Sequence, residues 1–102
     1  MRAIVCKIDN RGFETLQEVN IKSYKDYYEL IDCSYFDVVR IEYQGHELSV
    51  YCDDEGMLKS GNLGRIIGSY PNPIFGSIVI TGGVDEEGDT LGLPDELTML
   101  DI

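Results

Sequence analysis

The chain has 102 residues, with eight Lys and Arg against nineteen Asp and Glu, a formal net charge of −11. That length suits one domain, here 1–102, with a single modest core. Such a field repels phosphate backbones, so direct DNA or RNA binding is not expected, and it favours either a basic protein partner or simple solubility. The imbalance is uneven: residues 66–102 carry seven acids and no Lys or Arg, while the first 65 carry twelve acids and all eight bases.

Ala3 to Ile8 reads as a first strand, with Asp9-Asn10-Arg11-Gly12 as turn chemistry after it. Its apolar run before Lys7 is too short for a signal peptide. From Phe13 to Ile21, Phe13, Thr15, Gln17 and Val19 alternate with Glu14, Leu16 and Glu18, which predicts a second strand paired with the first. Ser23 is a good helix N-cap, and Asp26 three residues on can reach back in a variant of the capping box. Tyr24, Tyr27, Tyr28 and Ile31 then follow helical spacing, with Leu30 at the edge of the stripe. A tyrosine stripe can be an exposed binding surface, but packing on a sheet is the commoner use.

The run FDVVRIEYQGHELSVYCD, Phe36 to Asp53, predicts an antiparallel hairpin. Val39, Ile41 and Tyr43 share one face, and Val38, Arg40 and Glu42 share the other. Leu48, Val50 and Cys52 alternate with Ser49 and Tyr51 on the return. Gly45-His46 between the two runs suits a type II′ turn, which takes Gly at its first central position. Asp53-Asp54-Glu55-Gly56 follows as a charged turn, because the register of a calcium loop is absent. Met57 to Lys59 is expected to be a short strand leaving it.

Ser60-Gly61-Asn62-Leu63-Gly64-Arg65 is Gly-rich but lacks the GxxxxGK of a phosphate-binding loop. Asn62 and Arg65 nonetheless place an amide and a guanidinium close together in an acidic half. Tyr70-Pro71-Asn72-Pro73 is a rigid turn. Ile74 to Thr81 predicts a buried strand, with Ile74, Ile78 and Ile80 on one face, Phe75 and Val79 on the other, and Gly76 interrupting it as a bulge. Residues 66–84 carry no charge, but Pro71, Pro73 and four Gly exclude a membrane-spanning helix there. Asp85-Glu86-Glu87-Gly88-Asp89 is a second acidic turn. Thr90 to Leu93 reads as extended, and Pro94 with Asp95 and Glu96 opens a closing helix through Leu100. Together these elements predict an α+β fold: a small mixed, mainly antiparallel sheet built on a central hairpin (36–53), one packed amphipathic helix (23–32) and a short C-terminal helix (94–100).

Chemistry-bearing patterns are sparse. The single His46 sits at the hairpin turn, and no Ser occupies a nucleophile elbow. Cys6, Cys33 and Cys52 form no CxxC, and their odd number fits buried thiols in a reducing cytoplasm, with neither a disulfide framework nor a zinc site. No cofactor or metal is expected, and no enzyme activity.

The order of features resembles the family known as domain of unknown function 3846, short proteins often encoded in phages, plasmids and other bacterial mobile elements. The resemblance spans nearly the whole chain. It covers the strand Ala3 to Ile8, the helix with the FDVVRIEY strand, and VYCDDEGML from Val50 to Leu58. It continues through an Asn-Arg loop, IFGSIVITGG from Ile74 to Gly83, and DTLGLPDEL from Asp89 to Leu97. The family's Asn-Arg pair is typically adjacent, whereas Leu63-Gly64 separates Asn62 from Arg65 here. The resemblance implies a compact α+β domain and a mobile-element home, with no catalytic residues to carry over.

Three functions compete. The first is a non-enzymatic inhibitor of a basic host protein that handles nucleic acid or serves in defence, such as a CRISPR effector. Asp53, Asp54, Glu55, Asp85, Glu86, Glu87 and Asp89 would then stand where phosphates otherwise sit. The second is a nucleotide-sequestering homo-oligomer using Asn62, Arg65 and Tyr70, since a guanidinium clamps phosphate and a tyrosine stacks on a base. The third is an accessory domain with no readable partner.

Overall fold

The computed structural model describes residues 1–8, 11, 13–56, 64–65, 73–94 and 97. Its strands are β1 (Arg2–Ile8), β2 (Glu14–Asn20), β3 (Phe36–Tyr43), β4 (His46–Asp53), β5 (Gly64–Arg65), β6 (Ile74–Phe75) and β7 (Ile78–Gly82), with one helix, α1 (Lys25–Ile31). Five strands form a sheet in the order β2-β1-β7-β4-β3, and β5 pairs with β6 apart from it. Over the described residues the protein is thus a small, mainly-sheet domain with one helix. Every strand pairing among the described residues is antiparallel, so the sheet is not mixed.

Position in the sheet follows from which faces are apolar. On β7, Ile78 and Ile80 enter one core and Val79 the other, and all three are buried. A strand greasy on both faces belongs in the middle, and β7 takes that place between β1 and β4. The β3–β4 hairpin was expected to be central. Instead it forms one side of the sheet, with β3 at the edge, because Val38, Arg40 and Glu42 give β3 a polar or half-exposed second face. Along β1 the alternation is equally clear, with Ile4 and Cys6 in one core and Ala3 and Val5 in the other.

α1 covers the face bearing Ala3, Val5, Tyr51 and Val79, burying Tyr27 and Ile31 against it. Tyr27 stacks on Tyr51 with ring centroids 4.0 Å apart and planes 10° from parallel. The expected tyrosine stripe therefore packs as core at Tyr27, while Tyr24 at its outer end stays 63% exposed. Ser23 is not the cap: the N-cap position falls on Tyr24, which makes no side-chain cap bond. Asp26 does reach back, accepting the Lys22 N–H at 2.7 Å and the Ser23 N–H at 3.2 Å. Those two bonds, that from Lys22 first, hold its carboxyl below the usual range. Asp32 closes the helix in the left-handed region at φ 59°.

The hairpin turn differs from expectation by one residue. Gln44 (φ 51°) and Gly45 (φ 80°) are its central residues, and Tyr43 pairs with His46 as the closing rung. Two consecutive positive φ values make it type I′, not II′, so a non-glycine residue, Gln44, takes a left-handed backbone. The pattern of faces is as expected, because Val39↔Val50 and Ile41↔Leu48 pair on the inner face.

The expected strand Ile74 to Thr81 is two strands. Gly76 (φ 85°) turns the chain, so Ile74–Phe75 join β5 while Ile78–Gly82 join the large sheet. A positive φ costs glycine nothing, and here it redirects the backbone instead of merely bulging it. Past Gly82 the segment 91–93 enters between the splayed ends of β7 and β1. The Gly82 N–H donates to Leu91 O at 3.0 Å, and the Leu93 N–H donates to Arg2 O at 2.8 Å. The Arg2 guanidinium ties the following turn, donating to Pro94 O at 2.8 Å and Leu97 O at 2.6 Å, with Nε 2.6 Å from Glu18 Oε1. Leu93 and Leu97 thereby close the second core over Ile4, Ile78 and Ile80. The turn at Asp9, Asn10 and Gly12, the strand Met57 to Lys59 and most of the closing helix (94–100) lie outside the described residues.

Two substitutions test this account. A Cβ on Gly82 would collide with the backbone carbonyl oxygen of Gly92. Gly82→Ala is expected to lower unfolding stability by about 1–3 kcal/mol. Ser49 Oγ is buried with no hydrogen-bond partner among the described residues. Ser49→Ala is expected to raise stability by about 1 kcal/mol, because it removes an uncompensated buried hydroxyl. Urea midpoints check both; a Gly82→Ala midpoint equal to that of the wild type refutes the tight approach.

Candidate functional site

The acidic turns are the first candidates, and both are held by their own carboxylates. At the end of β4, Asp53 Oδ1 accepts the Glu55 N–H at 3.0 Å. Gly56 is buried beneath Phe75, where a Cβ would meet Phe75 O at 2.6 Å. Asp54 and Glu55 are left exposed. In the second turn, Asp85 Oδ1 accepts the N–H groups of Glu87 and Asp89, both at 2.9 Å. Gly88 (φ 88°) completes the reversal, and Val84 bridges Thr90 across it. Glu86, Glu87 and Asp89 are exposed. One carboxylate in each turn is thus spent on the backbone, and its neighbours point into solvent.

The fold does not bring the two turns together. Phe36↔Asp53 and Cys52↔Ile78 set the first turn at the end of the sheet where β7 begins. Leu48↔Gly82 sets the second beyond the other end, where β7 finishes. The carboxylates Asp53, Asp54 and Glu55 therefore lie a full strand's length from Asp85, Glu86, Glu87 and Asp89, in a molecule 37 Å along its greatest extent.

Of the alternative set, Asn62 and Tyr70 lie outside the described residues. Arg65 belongs to β5, where it pairs with Ile74.

A third region escaped the sequence reading. A shallow cleft of about 480 Å³ is lined by Arg40, Ile41, Glu42, Gly45 and Glu47. Arg40 Nη1 sits 3.5 Å from Glu47 Oε1, with both side chains more than half exposed. Along the same face of β3 toward α1 runs an aromatic strip. Tyr24 meets Tyr28 edge-on at 6.2 Å, and Tyr28 meets Phe36 at 5.0 Å. Val38 beyond them is 44% exposed. The only sequence signal for this region was the polar second face of β3, which does not say that β3 is an edge.

One phenol and one thiol in this layer have their pKa raised by burial. Burial, then the neighbouring Tyr51 hydroxyl, pushes the Tyr27 phenol up from its ordinary value. Tyr51 Oη lies 2.8 Å from Thr90 Oγ1, tying the aromatic layer to the segment after the second acidic turn. Burial, followed by the charges of Asp37 and Asp53, pushes the Cys52 thiol up to about 11. Cys6, Cys33 and Cys52 are joined by no disulfide. Among the described residues, no group of three or more His, Cys, Asp or Glu is placed to hold a metal ion. No helix among them is long and apolar enough to cross a membrane.

A family model described as domain of unknown function (DUF3846) matches residues 1–101, so the chain belongs to that family. No curated protein and no solved structure matches it.

The Cys52 environment sets a pH dependence. Its folded value is raised above the ordinary 9.0, so the thiol form stabilises the fold below pH 9. That contribution falls away as pH climbs through about 11, because ionisation favours the unfolded chain. Substituting Cys52→Ala should flatten this alkaline loss, read as Tm against pH. At pH 8 a thiol reagent should label Cys52 only after denaturation; rapid labelling of Cys52 in the folded protein refutes its burial.

Proposed function

We propose that this protein is a non-enzymatic acidic binder from a bacterial mobile element. In this reading it occupies a basic surface of a host protein that handles nucleic acid or serves in defence. The observation that carries the reading is the net charge of −11, with exposed carboxylates on both sheet ends. The self-bonded Asp53 and Asp85 support it by making each turn a fixed platform for its outward neighbours. Rigid charge costs less ordering entropy on binding than charge on a mobile loop. Because the turns lie at opposite ends of the sheet, a partner reading both must present basic groups spaced on the scale of the sheet's length, as along a nucleic-acid channel. Association steered by such a field is fast and weakens with salt.

The same reading takes the chain as one domain over 1–102 of α+β type, with a closing helix over 94–100. The Leu97 N–H donating to Pro94 O at 3.0 Å is the local support for that helix. Working in a bacterial cytoplasm accords with three cysteines joined by no disulfide.

The test is affinity capture from nuclease-treated host lysate, with the wild type beside a variant reversed at both turns (D54K, E55K, E86K, E87K). The wild type should retain one dominant basic protein that leaves as salt rises past a few hundred millimolar. The reversed variant should lose it by tenfold or more. Equal capture by the two proteins removes the acidic turns from the mechanism.

A further inference from the structure

Among the described residues six large apolar side chains are exposed, and three of them, Tyr24, Tyr35 and Val38, lie around the start of α1 and the start of β3. From Tyr24 a ladder of rings runs inward. Tyr24 meets Tyr28 edge-on at 6.2 Å, Tyr28 meets Phe36 at 5.0 Å, and Phe36 meets the buried Tyr51 at 5.5 Å. The exposed end of the ladder is thus fixed to the core. Phe36 shares a rung with Asp53, and Tyr35 O accepts the Asp54 N–H at 3.3 Å, so the first acidic turn stands beside it.

Fold stability does not account for Tyr24. It holds the N-cap position of α1, where Ser, Thr, Asp or Asn would bond a free helix N–H, and it makes no such bond. At 63% exposed, its ring also gains little from burial. What the ring does offer is an aromatic surface on a rigid support, the kind of group that anchors interfaces.

The surroundings decide which partner fits. Lys22 and Lys25 flank Tyr24 in the chain, but from Asp26 to Asp37 there are four acids and no Lys or Arg. Asp54 and Glu55 are exposed beyond them. A ring face attracts a cation through its quadrupole, and nearby carboxylates add to that attraction. Arg fits better than Lys, because a flat, weakly hydrated guanidinium stacks on a ring while forking to a carboxylate. The second acidic turn offers charge alone: Tyr51, the ring bonded to Thr90 beside it, is buried.

We infer that the Tyr24–Tyr28–Phe36 ladder with Val38, beside the first acidic turn, anchors the bound complex by seating arginines of a basic partner protein. The two turns draw the partner in, and the ladder selects arginine over lysine. A second copy of this chain is the poorer occupant, since it would bring two charges of −11 together. The inference rests on the reading of the partner as basic and adds the chemistry by which it is held.

The test titrates the full chain with two short peptides of equal charge, one alternating Arg with Ser and the other Lys with Ser. The Arg peptide should bind about tenfold tighter. In NMR spectra it should shift Tyr24, Tyr28, Phe36 and Val38 and leave residues 84–90 in place. Tyr24→Ser puts a capping residue at the helix start, so it should keep or raise Tm while bringing the two affinities together. Tyr24→Phe should retain the preference, because the ring face remains. Equal affinity of the wild type for both peptides, shifts confined to 84–90, full Arg preference in folded Tyr24→Ser, or a dimer in sedimentation that covers the ladder each overturns the inference. Should Tyr24→Ser lose its fold, the NMR shifts decide alone. The variant reversed at both turns separates the two claims. Unchanged affinity with the Arg preference intact sinks the acidic-turn reading and keeps the ladder. Affinity lost on turn reversal, with no Arg preference in the wild type, sinks the ladder and keeps the turns.

Discussion

Two antiparallel hairpins, β1–β2 and β3–β4, meet on a single five-residue strand, and everything else in the molecule depends on that strand. β7 pairs with β1 through Cys6↔Ile78, Val5↔Val79 and Ile4↔Ile80 and with β4 through Cys52↔Ile78, Tyr51↔Val79 and Val50↔Ile80, so all three residues are shared rungs. Ile78, Val79 and Ile80 are each 1% exposed or less. A two-stranded hairpin is marginal alone in water, and three or more strands with a covered face are needed for stability. β7 supplies that third strand to both hairpins at once. It does so late in the chain, over long sequence separations, which places loop-closure entropy against folding until the hairpins have formed.

The two faces of β7 then divide the remaining work. On one, α1 lays Tyr27 flat on Tyr51, and Phe36 closes the aromatic group at 5.4 Å from Tyr27. On the other, Leu93 and Leu97 are drawn down by a segment whose carbonyls are gripped by Arg2. A guanidinium suits this task because its planar fork reaches two carbonyls and a carboxylate together. The second cover is completed by contacts across nearly the full length of the chain, from Arg2 to Pro94 and Leu97. The acidic turns proposed as binding surfaces lie where these covers stop, at the two ends of the sheet.

Much of the local structure was legible in the residues. The alternation of Val39, Ile41 and Tyr43 against Val38, Arg40 and Glu42 survives intact, because a period of two admits only one division of faces. Gly88 and the aspartates of the acidic turns behave as turn chemistry demands. The one-residue error at the hairpin tip has a simple cause. Gly can occupy the first central position of a type II′ turn or the second of a type I′ turn, and the pairing of Tyr43 with His46 chose the latter. Gly76 was legible as an interruption but not as a change of sheet, since its φ of 85° depends on where Ile74 finds a partner.

By itself the sequence determined the acidity, the identities of β1 to β4 and α1, the inner and outer faces of the hairpin, and the family. These are properties of composition and of neighbours within a few residues, where side-chain period and turn propensity act. Tertiary structure alone decided that, among the described residues, β7 is central and β3 an edge, that the acidic turns stand at opposite ends, and that aromatic strip and cleft lie along one face of β3. Strand order is set by which distant segments bury each other's faces, and no local propensity encodes a partner forty residues away.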